Sequence, residues 1–343
     1  MNIKTVYIEI TNKCNLNCDT CYNRSGLNRE RRELSCEQIE RIIGIFEPYG
    51  LKRVLLSGGE PTLHTEFDDI IDLPEKYPDI SFGIVTNGTN INHKLIEVAN
   101  TRDNFKLQIS LDGSNDTINA KTRGAGNFHK TIEFARRIHR ETNKPLLKMV
   151  ISQNNIDDVE AFCELSFSLG FIPEFAFIYR SGNGESEWEK KALSPMQKLK
   201  VLKLIKRINN EYGGEIFLPL CTSGCPIPSG KHEFSLGIKV DGSIQPCQSL
   251  YDDRFTVGNV LAFDAVLFER NMKKISDIAK KRTESDYNCG KCILKNACGR
   301  GCMAEAVNLY GDPLANDGNC EYRKMQFLNM NLSERVVSGE KQD

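Results

Sequence analysis

Apolar positions along the first 180 residues follow two rhythms: short apolar runs of strand character, and longer stretches in which apolar residues recur on one helical face. The strand-like runs are Val6 to Ile10, Arg53 to Leu56, Ile80 to Val85, Phe105 to Leu111, Leu146 to Ile151 and Glu174 to Ile178. Between the first two, Ser35 to Gln38 reads as a capping box, and Ile39, Ile42, Ile43 and Phe46 follow it at helical spacing. Six strands alternating with helices predict a parallel α/β sheet, doubly wound or curved as part of a barrel. In such folds chemistry gathers beyond the C-terminal ends of the strands. The unusual stretches fall there. C-N-L-N-C-D-T-C-Y-N (14–23) follows the first run, S-G-G-E-P (57–61) the second and T-N-G (86–88) the third, while S-L-D-G (110–113) ends the fourth.

After the sixth run, S-G-N-G-E-S-E-W-E-K-K (181–191) is polar and glycine-bearing and reads as a linker. A helix is expected from Pro195 to about Tyr212. Beyond Gly214 the composition turns to cysteine, glycine and turn residues with few long periodic segments, which places a boundary near 215. Asp241-Gly242, between Phe234 to Val240 and Ser243 to Gln245, is a two-residue hairpin signal. The charged run from Arg29 to Glu33 reads as a solvated loop, and the tail after about Leu328 as frayed.

Composition adds limits. A chain of 343 residues, 40% hydrophobic and 27% charged, is long enough for one large domain and a smaller one. With 45 basic and 46 acidic residues nothing draws it wholesale to nucleic acid or an anionic membrane. The N-terminus has no signal-peptide architecture, and no run of about 18 apolar residues spans a bilayer, so a cytoplasmic location is expected. There, 13 cysteines point to metal or redox chemistry rather than a disulfide framework.

Three of them sit at 14–21 and eight between 221 and 320, implying two separate sites; Cys36 and Cys163 stand apart and read as small buried hydrophobes. Four thiolates saturate a 4Fe-4S cube, whereas three leave one iron open to a non-protein ligand. Zinc is the alternative, but structural zinc sites close a tetrahedron with a second C-x2-C unit, and none lies near.

C-x3-C-x2-C after the first strand, with G-G-E-P after the second, resembles the radical S-adenosylmethionine (radical SAM) superfamily over roughly residues 4 to 180. The resemblance implies a partial (β/α)6 barrel of TIM-like type, with a 4Fe-4S cluster on Cys14, Cys18 and Cys21. Methionine's amino and carboxylate groups would chelate the open iron, and reductive cleavage would give a 5′-deoxyadenosyl radical that abstracts hydrogen from an unreactive carbon. By motif, Gly58, Gly59 and Glu60 would receive the methionine amino group. Ser110 and Asp112 would contact the ribose or methionine, and Arg123 the methionine carboxylate, with Asn87 a further contact. Relatives usually carry an aromatic or histidine just before the third cysteine; here it is Thr20, so Tyr22 becomes the candidate near adenine.

Cys225, Gly242-x4-Cys247, Cys289-x2-Cys292-x5-Cys298-x3-Cys302 and Cys320 resemble the cysteine-rich SPASM extension. With Cys221 there are eight thiolates, enough for two fully ligated clusters. The resemblance pairs Cys221, Cys225, Cys247 and Cys302 in one, and Cys289, Cys292, Cys298 and Cys320 in the other. The division it implies is a barrel over 1–185, a linker and bridging helix over 186–214, a small SPASM domain over 215–328 and a tail over 329–343. With few apolar periodic segments, that small domain is expected to owe its order to metal.

The function implied is a radical SAM/SPASM oxidoreductase carrying three 4Fe-4S clusters and S-adenosylmethionine, its auxiliary clusters moving electrons. Its substrate would be a ribosomally made precursor peptide, which it modifies by crosslinking. A flavodoxin- or ferredoxin-type reductant is implied. Since the chain starts almost at its first strand, a separate leader-peptide-binding protein is expected. The alternatives are a maturase of anaerobic sulfatases, which makes formylglycine, and a non-catalytic metal-binding scaffold.

Overall fold

The computed structural model describes residues 1–26, 30–213, 216, 233–250, 252–284, 289, 291–294, 298 and 300–325. Six strands, β1 (Asn2–Thr11), β2 (Arg53–Gly58), β3 (Ser81–Thr86), β4 (Phe105–Ser110), β5 (Leu146–Ile151) and β6 (Ile172–Phe177), match the six apolar runs to within a few residues. They pair in sequence order, all parallel, with helices in the connections. The sheet is an open partial barrel, since β6 and β1 do not pair.

On the far side of β1 the sheet continues. β7 (Glu233–Ile238) runs parallel to β1, and β8 (Ser243–Gln245) and β9 (Gly258–Asn259) extend it antiparallel, giving the order β6-β5-β4-β3-β2-β1-β7-β8-β9. The hairpin read at Asp241-Gly242 is the β7–β8 turn.

The pleat sorts the barrel strands cleanly. Val6, Ile8 and Ile10 on β1, Leu107 and Ile109 on β4, and Leu147, Met149 and Ile151 on β5 are buried in the apolar core. Their neighbours Tyr7 and Glu9, Lys106 and Gln108, and Lys148 occupy the opposite face. Helix Cys36–Phe46 carries the expected capping box, with Gln38 N–H donating to Ser35 Oγ at 3.2 Å and Ser35 N–H to Gln38 Oε1 at 2.9 Å. It buries Ile39, Ile42, Ile43 and Phe46 as its spacing predicts.

Two readings need correction. Residues 181–191 are not a featureless linker, because Asn183–Lys191 is a helix docked on the cysteine loop. Its polarity misleads because what it covers is backbone carbonyls rather than an apolar surface. Nor does the C-terminal region lack a core. Leu236, Ile238, Ile244, Phe255, Val257, Phe268, Met272 and Met303 join the barrel's own hydrophobic cluster, and Phe46 packs edge-on against Phe263 and Phe268 at 5.9 and 5.8 Å between centroids. The 20-residue helix Ala265–Glu284 supplies much of this, its apolar stripe diluted by lysines that hide the period. No helix among the described residues is long and apolar enough to cross a membrane.

Candidate active site

The loops after β1 to β4 meet at one mouth. Gly59 N–H donates to Thr11 O and Glu60 N–H to Lys13 O, both at 2.7 Å, so the G-G-E loop is bonded along the chain that leads into the cysteines. A Cβ on Gly58 would strike Thr11 O and one on Gly59 would strike Lys13 O. The glycines are therefore needed for this approach of two backbones, whatever else they serve.

Glu60 is fully buried. Its Oε1 accepts from Thr62 N–H (3.2 Å), Thr62 Oγ1 (2.8 Å) and Thr86 Oγ1 (2.6 Å), and its Oε2 from Asn87 N–H (2.7 Å). Burial pushes this carboxyl above its usual range against those donors. A carboxylate has about four lone-pair sites, so the free acceptor capacity lies on Oε2. Asn87 Nδ2 donates to Asn15 Oδ1 at 2.9 Å and lies 3.9 Å from Cys14 Sγ; Asn15 Nδ2 donates to Thr89 Oγ1 at 2.8 Å. The T-N-G turn thus buttresses the cysteine loop.

At the fourth strand, Asp112 is buried against Arg123, with Nε to Oδ2 at 2.7 Å. Its other oxygen accepts from Val150 N–H at 2.8 Å. The pair lies beside Cys18, whose thiol burial pushes up to about 11 while the Arg123 guanidinium pulls it back. Burial drives the Cys14 thiol up to about 12, against the N–H of Leu16, 3.4 Å from its sulfur. Cys14 and Cys18 are largely withdrawn from water, with the Leu16 N–H 3.4 Å from the Cys14 sulfur, a setting that fits a cationic iron-sulfur core, which would bind them as thiolates. Among the described residues no three His, Cys, Asp or Glu side chains converge on a single metal position. Ser110 is half-buried at the end of β4.

Helix Asn183–Lys191 closes the loop from the other side. Asn183 donates its N–H to Cys21 O at 2.7 Å and its Nδ2 to Cys18 O at 2.8 Å, and Ser181 Oγ donates to Tyr22 O at 2.9 Å. Gly182 has a φ of 63°, and a Cβ there would strike the Cys21 and Tyr22 backbone. Lys191 pairs with Asp19, between two of the cysteines. No spacing in 181–191 announces this contact.

In the C-terminal region Cys221 and Cys225 lie outside the described residues. Cys247 and Cys302 are neighbours: burial, and then Cys302, push the Cys247 thiol up to about 11. Burial raises the Cys320 thiol too, with Cys289 and Cys292 adding to it, and Cys298 is raised by burial with Cys320 nearby. The turns carrying them are pinned by buried charge. Asp317 accepts from Cys302 N–H at 2.9 Å and pairs with Arg323, while Arg282 and Arg300 each donate to the other's carbonyl, at 3.0 and 2.9 Å. Lys198, on the bridging helix Pro195–Tyr212, donates to Asn319 Oδ1 at 2.6 Å.

A cavity of about 860 Å³ lies between the two regions. Tyr22, Asn23 and Glu9 line it from the barrel, Arg180 and Glu185 from the segment after β6, and Asp241, Asp252 and Asn308 from the C-terminal region. Tyr22, placed beside adenine by the sequence reading, stands at this wall. Glu9 had no spacing signature; its alternation with Ile8 and Ile10 was the available signal.

Residues 8–166 match the model of the radical SAM superfamily. The mycofactocin maturase MftC of Mycolicibacterium smegmatis is 27% identical over 306 residues, covering 86% of this chain and 77% of that protein. Streptococcus suis SuiB, solved with its precursor peptide SuiA, superposes with a TM-score of 0.76 at 16% identity, over 93% of this chain and 76% of that one. The structure of anSMEcpe with AdoMet and the Kp18Cys peptide gives 0.75 at 18% identity, over 98% and 100%. At these identities the two structures speak to the fold.

Proposed function

For a chain whose residues 8–166 form a radical SAM domain, we propose an enzyme that modifies a ribosomally made peptide, closing a bond within it with net loss of two hydrogens. The cavity between the barrel mouth and the cysteine-rich region carries this reading. At about 860 Å³ it is at the top of the range of small-ligand pockets, and its lining of carboxylates, arginines and amides suits a polar peptide backbone. The similarity to a maturase and the shared fold with a peptide-bound enzyme support it.

When bound, the cluster and S-adenosylmethionine supply a carbon radical able to take hydrogen from an unreactive carbon. Cys14, Cys18 and Cys21 would hold that cluster. The free side of Glu60 Oε2 would take the methionine ammonium, and Arg123, whose Nε is turned to Asp112, would offer its terminal NH2 groups to the methionine carboxylate. Asn87, Ser110 and Tyr22 would complete the contacts. Two auxiliary clusters would use Cys221, Cys225, Cys247 and Cys302, and Cys289, Cys292, Cys298 and Cys320; the proximities of Cys247 to Cys302 and of Cys320 to Cys289 and Cys292 support that partition. We further propose a cytoplasmic location, a flavodoxin- or ferredoxin-type reductant, and a division of the chain near 214 and 328, the boundary at 185 falling inside helix Asn183–Lys191.

The test is anaerobic reconstitution followed by mass spectrometry of a synthetic peptide encoded beside the gene. A loss of two hydrogens with equimolar 5′-deoxyadenosine is expected. Formylglycine on a sulfatase peptide instead would favour the maturase of sulfatases, and an intact S-adenosylmethionine pool a non-catalytic scaffold.

A further inference from the structure

Among the described residues, four carboxylates are buried in the barrel and its loops: Glu9, Glu60, Asp112 and Asp158. Glu60 holds the Thr62, Thr86 and Asn87 donors, and Asp112 faces Arg123. Asp158 accepts from Ser114 N–H and Oγ, each at 2.6 Å. Glu9 differs from these in lining the cavity. It is 7% exposed and stands on the polar face of β1, opposite Ser57 in the parallel register. Asn23 Nδ2 donates to its Oε1 at 2.9 Å, and Asn23 Oδ1 in turn accepts from Ser25 Oγ and faces Cys21 Sγ at 3.7 Å. A short chain of side chains therefore holds one carboxylate oriented between the cysteine loop and the proposed peptide space.

We propose that Glu9 is a catalytic residue that contacts the peptide and accepts its second hydrogen as a proton, an inference that rests on the reading above. One hydrogen leaves the substrate as an atom. The carbon radical then closes on a thiol, hydroxyl or amide X–H of the same peptide: the X–C bond forms, the X–H bond breaks, the proton passes to Glu9, and the remaining electron goes to a one-electron acceptor, an iron-sulfur centre of the C-terminal cysteines. An oxidative closure needs such a base at the reacting group, and a carboxylate fixed by an amide donor at a cavity wall supplies it.

The test compares reconstituted wild type with Glu9→Gln and Glu9→Asp on the synthetic peptide encoded beside the gene. Without reductant, fluorescence anisotropy should show Glu9→Gln binding the labelled peptide about tenfold more weakly, through loss of a charged acceptor. Under turnover at saturating peptide, the ratio of modified peptide to 5′-deoxyadenosine should fall by about a hundredfold in Glu9→Gln, and Glu9→Asp should recover part of it. Unchanged iron content identifies a correctly assembled variant. Should Glu9→Gln be insoluble, carbodiimide labelling of wild-type Glu9 should be suppressed by saturating peptide. Wild-type binding and product yield in Glu9→Gln, or labelling of Glu9 indifferent to peptide, overturn the role while the maturase reading stands. A wild type that neither binds nor modifies the peptide overturns both.

Discussion

The two cysteine-bearing regions order their thiols by different means. Around Cys14, Cys18 and Cys21 the frame is mostly backbone and amide side chains, namely the Thr11 and Lys13 carbonyls against the G-G-E loop, Asn15 with Asn87 and Thr89, and Asn183 on the carbonyls of Cys18 and Cys21, with the Lys191–Asp19 and Arg123–Asp112 pairs beside it. Around Cys298, Cys302 and Cys320 charge takes that part, through Asp317 with Arg323, the reciprocal grip of Arg282 and Arg300, and Lys198 on Asn319. Loops that end neighbouring parallel strands are aligned by the strand register, so short local bonds can join them. Turns between short helices have no ladder, and the long guanidinium fork reaches several carbonyls at once in its place. The apolar core is common to both, so the contrast lies in the loops and not in the amount of burial.

The largest effect that would break this contrast comes from the barrel loop. Replacing Cys14, Cys18 and Cys21 together by alanine should abolish 5′-deoxyadenosine formation while the urea midpoint stays near that of the wild type, because hydrogen bonds to neighbouring loops frame this segment outside the apolar core. Normal cleavage would remove the radical SAM chemistry from these residues, and global unfolding would show that the frame depends on the cluster after all.

Next in size, alanine at Cys247, Cys298, Cys302 or Cys320 should lower iron by more than one ligand's share, because loss of one thiolate dissolves a shared cluster. Soluble variants should still make 5′-deoxyadenosine but little modified peptide, for want of an electron acceptor. Iron per chain and the ratio of the two products measure this. Full product yield without either auxiliary cluster would leave those cysteines a structural role only.

A smaller effect sharpens the view of the barrel mouth. Glu60→Ala strands the donors of Thr62, Thr86 and Asn87 in a fully buried site, and should cost roughly 2–4 kcal/mol in urea unfolding. A cost near zero would mean the loops are not pinned through this carboxylate.

The smallest prediction concerns pH in the charged frame. Burial, and then Asp317, push the Glu305 carboxyl from 4.5 up to about 7. The folded state thus holds this proton more tightly than the unfolded chain, so the contribution is full below about 4.5 and is lost as pH rises through about 7. Thermal scans should show wild-type stability falling across that window by a few degrees relative to Glu305→Gln, whose amide cannot ionise. Parallel pH profiles would refute the buried proton.

Much of the barrel was legible residue by residue. Strand periodicity located β1 to β6, the Ser35–Gln38 box and the stripe from Ile39 to Phe46 emerged as read, and helix Pro195–Tyr212 begins and ends as expected. The illegible parts share a cause. Helix Asn183–Lys191 and Glu9 owe their positions to partners far away in the chain, the carbonyls of Cys18 and Cys21 and the amide of Asn23, and a local pattern carries no record of distant polar partners.

What the sequence determined by itself was the set of strands, the order in which chemistry-bearing loops follow them, and the cysteine spacing, because each is a local property of periodicity or short-range geometry. Only the tertiary structure decided that β7 extends the barrel sheet beyond β1, that the C-terminal region shares the barrel's core, and that Glu9 rather than Glu60 or Asp112 looks into the cavity. Those outcomes depend on which distant surfaces meet, and that is settled by sheet pairing and by the competition of many buried polar groups for partners.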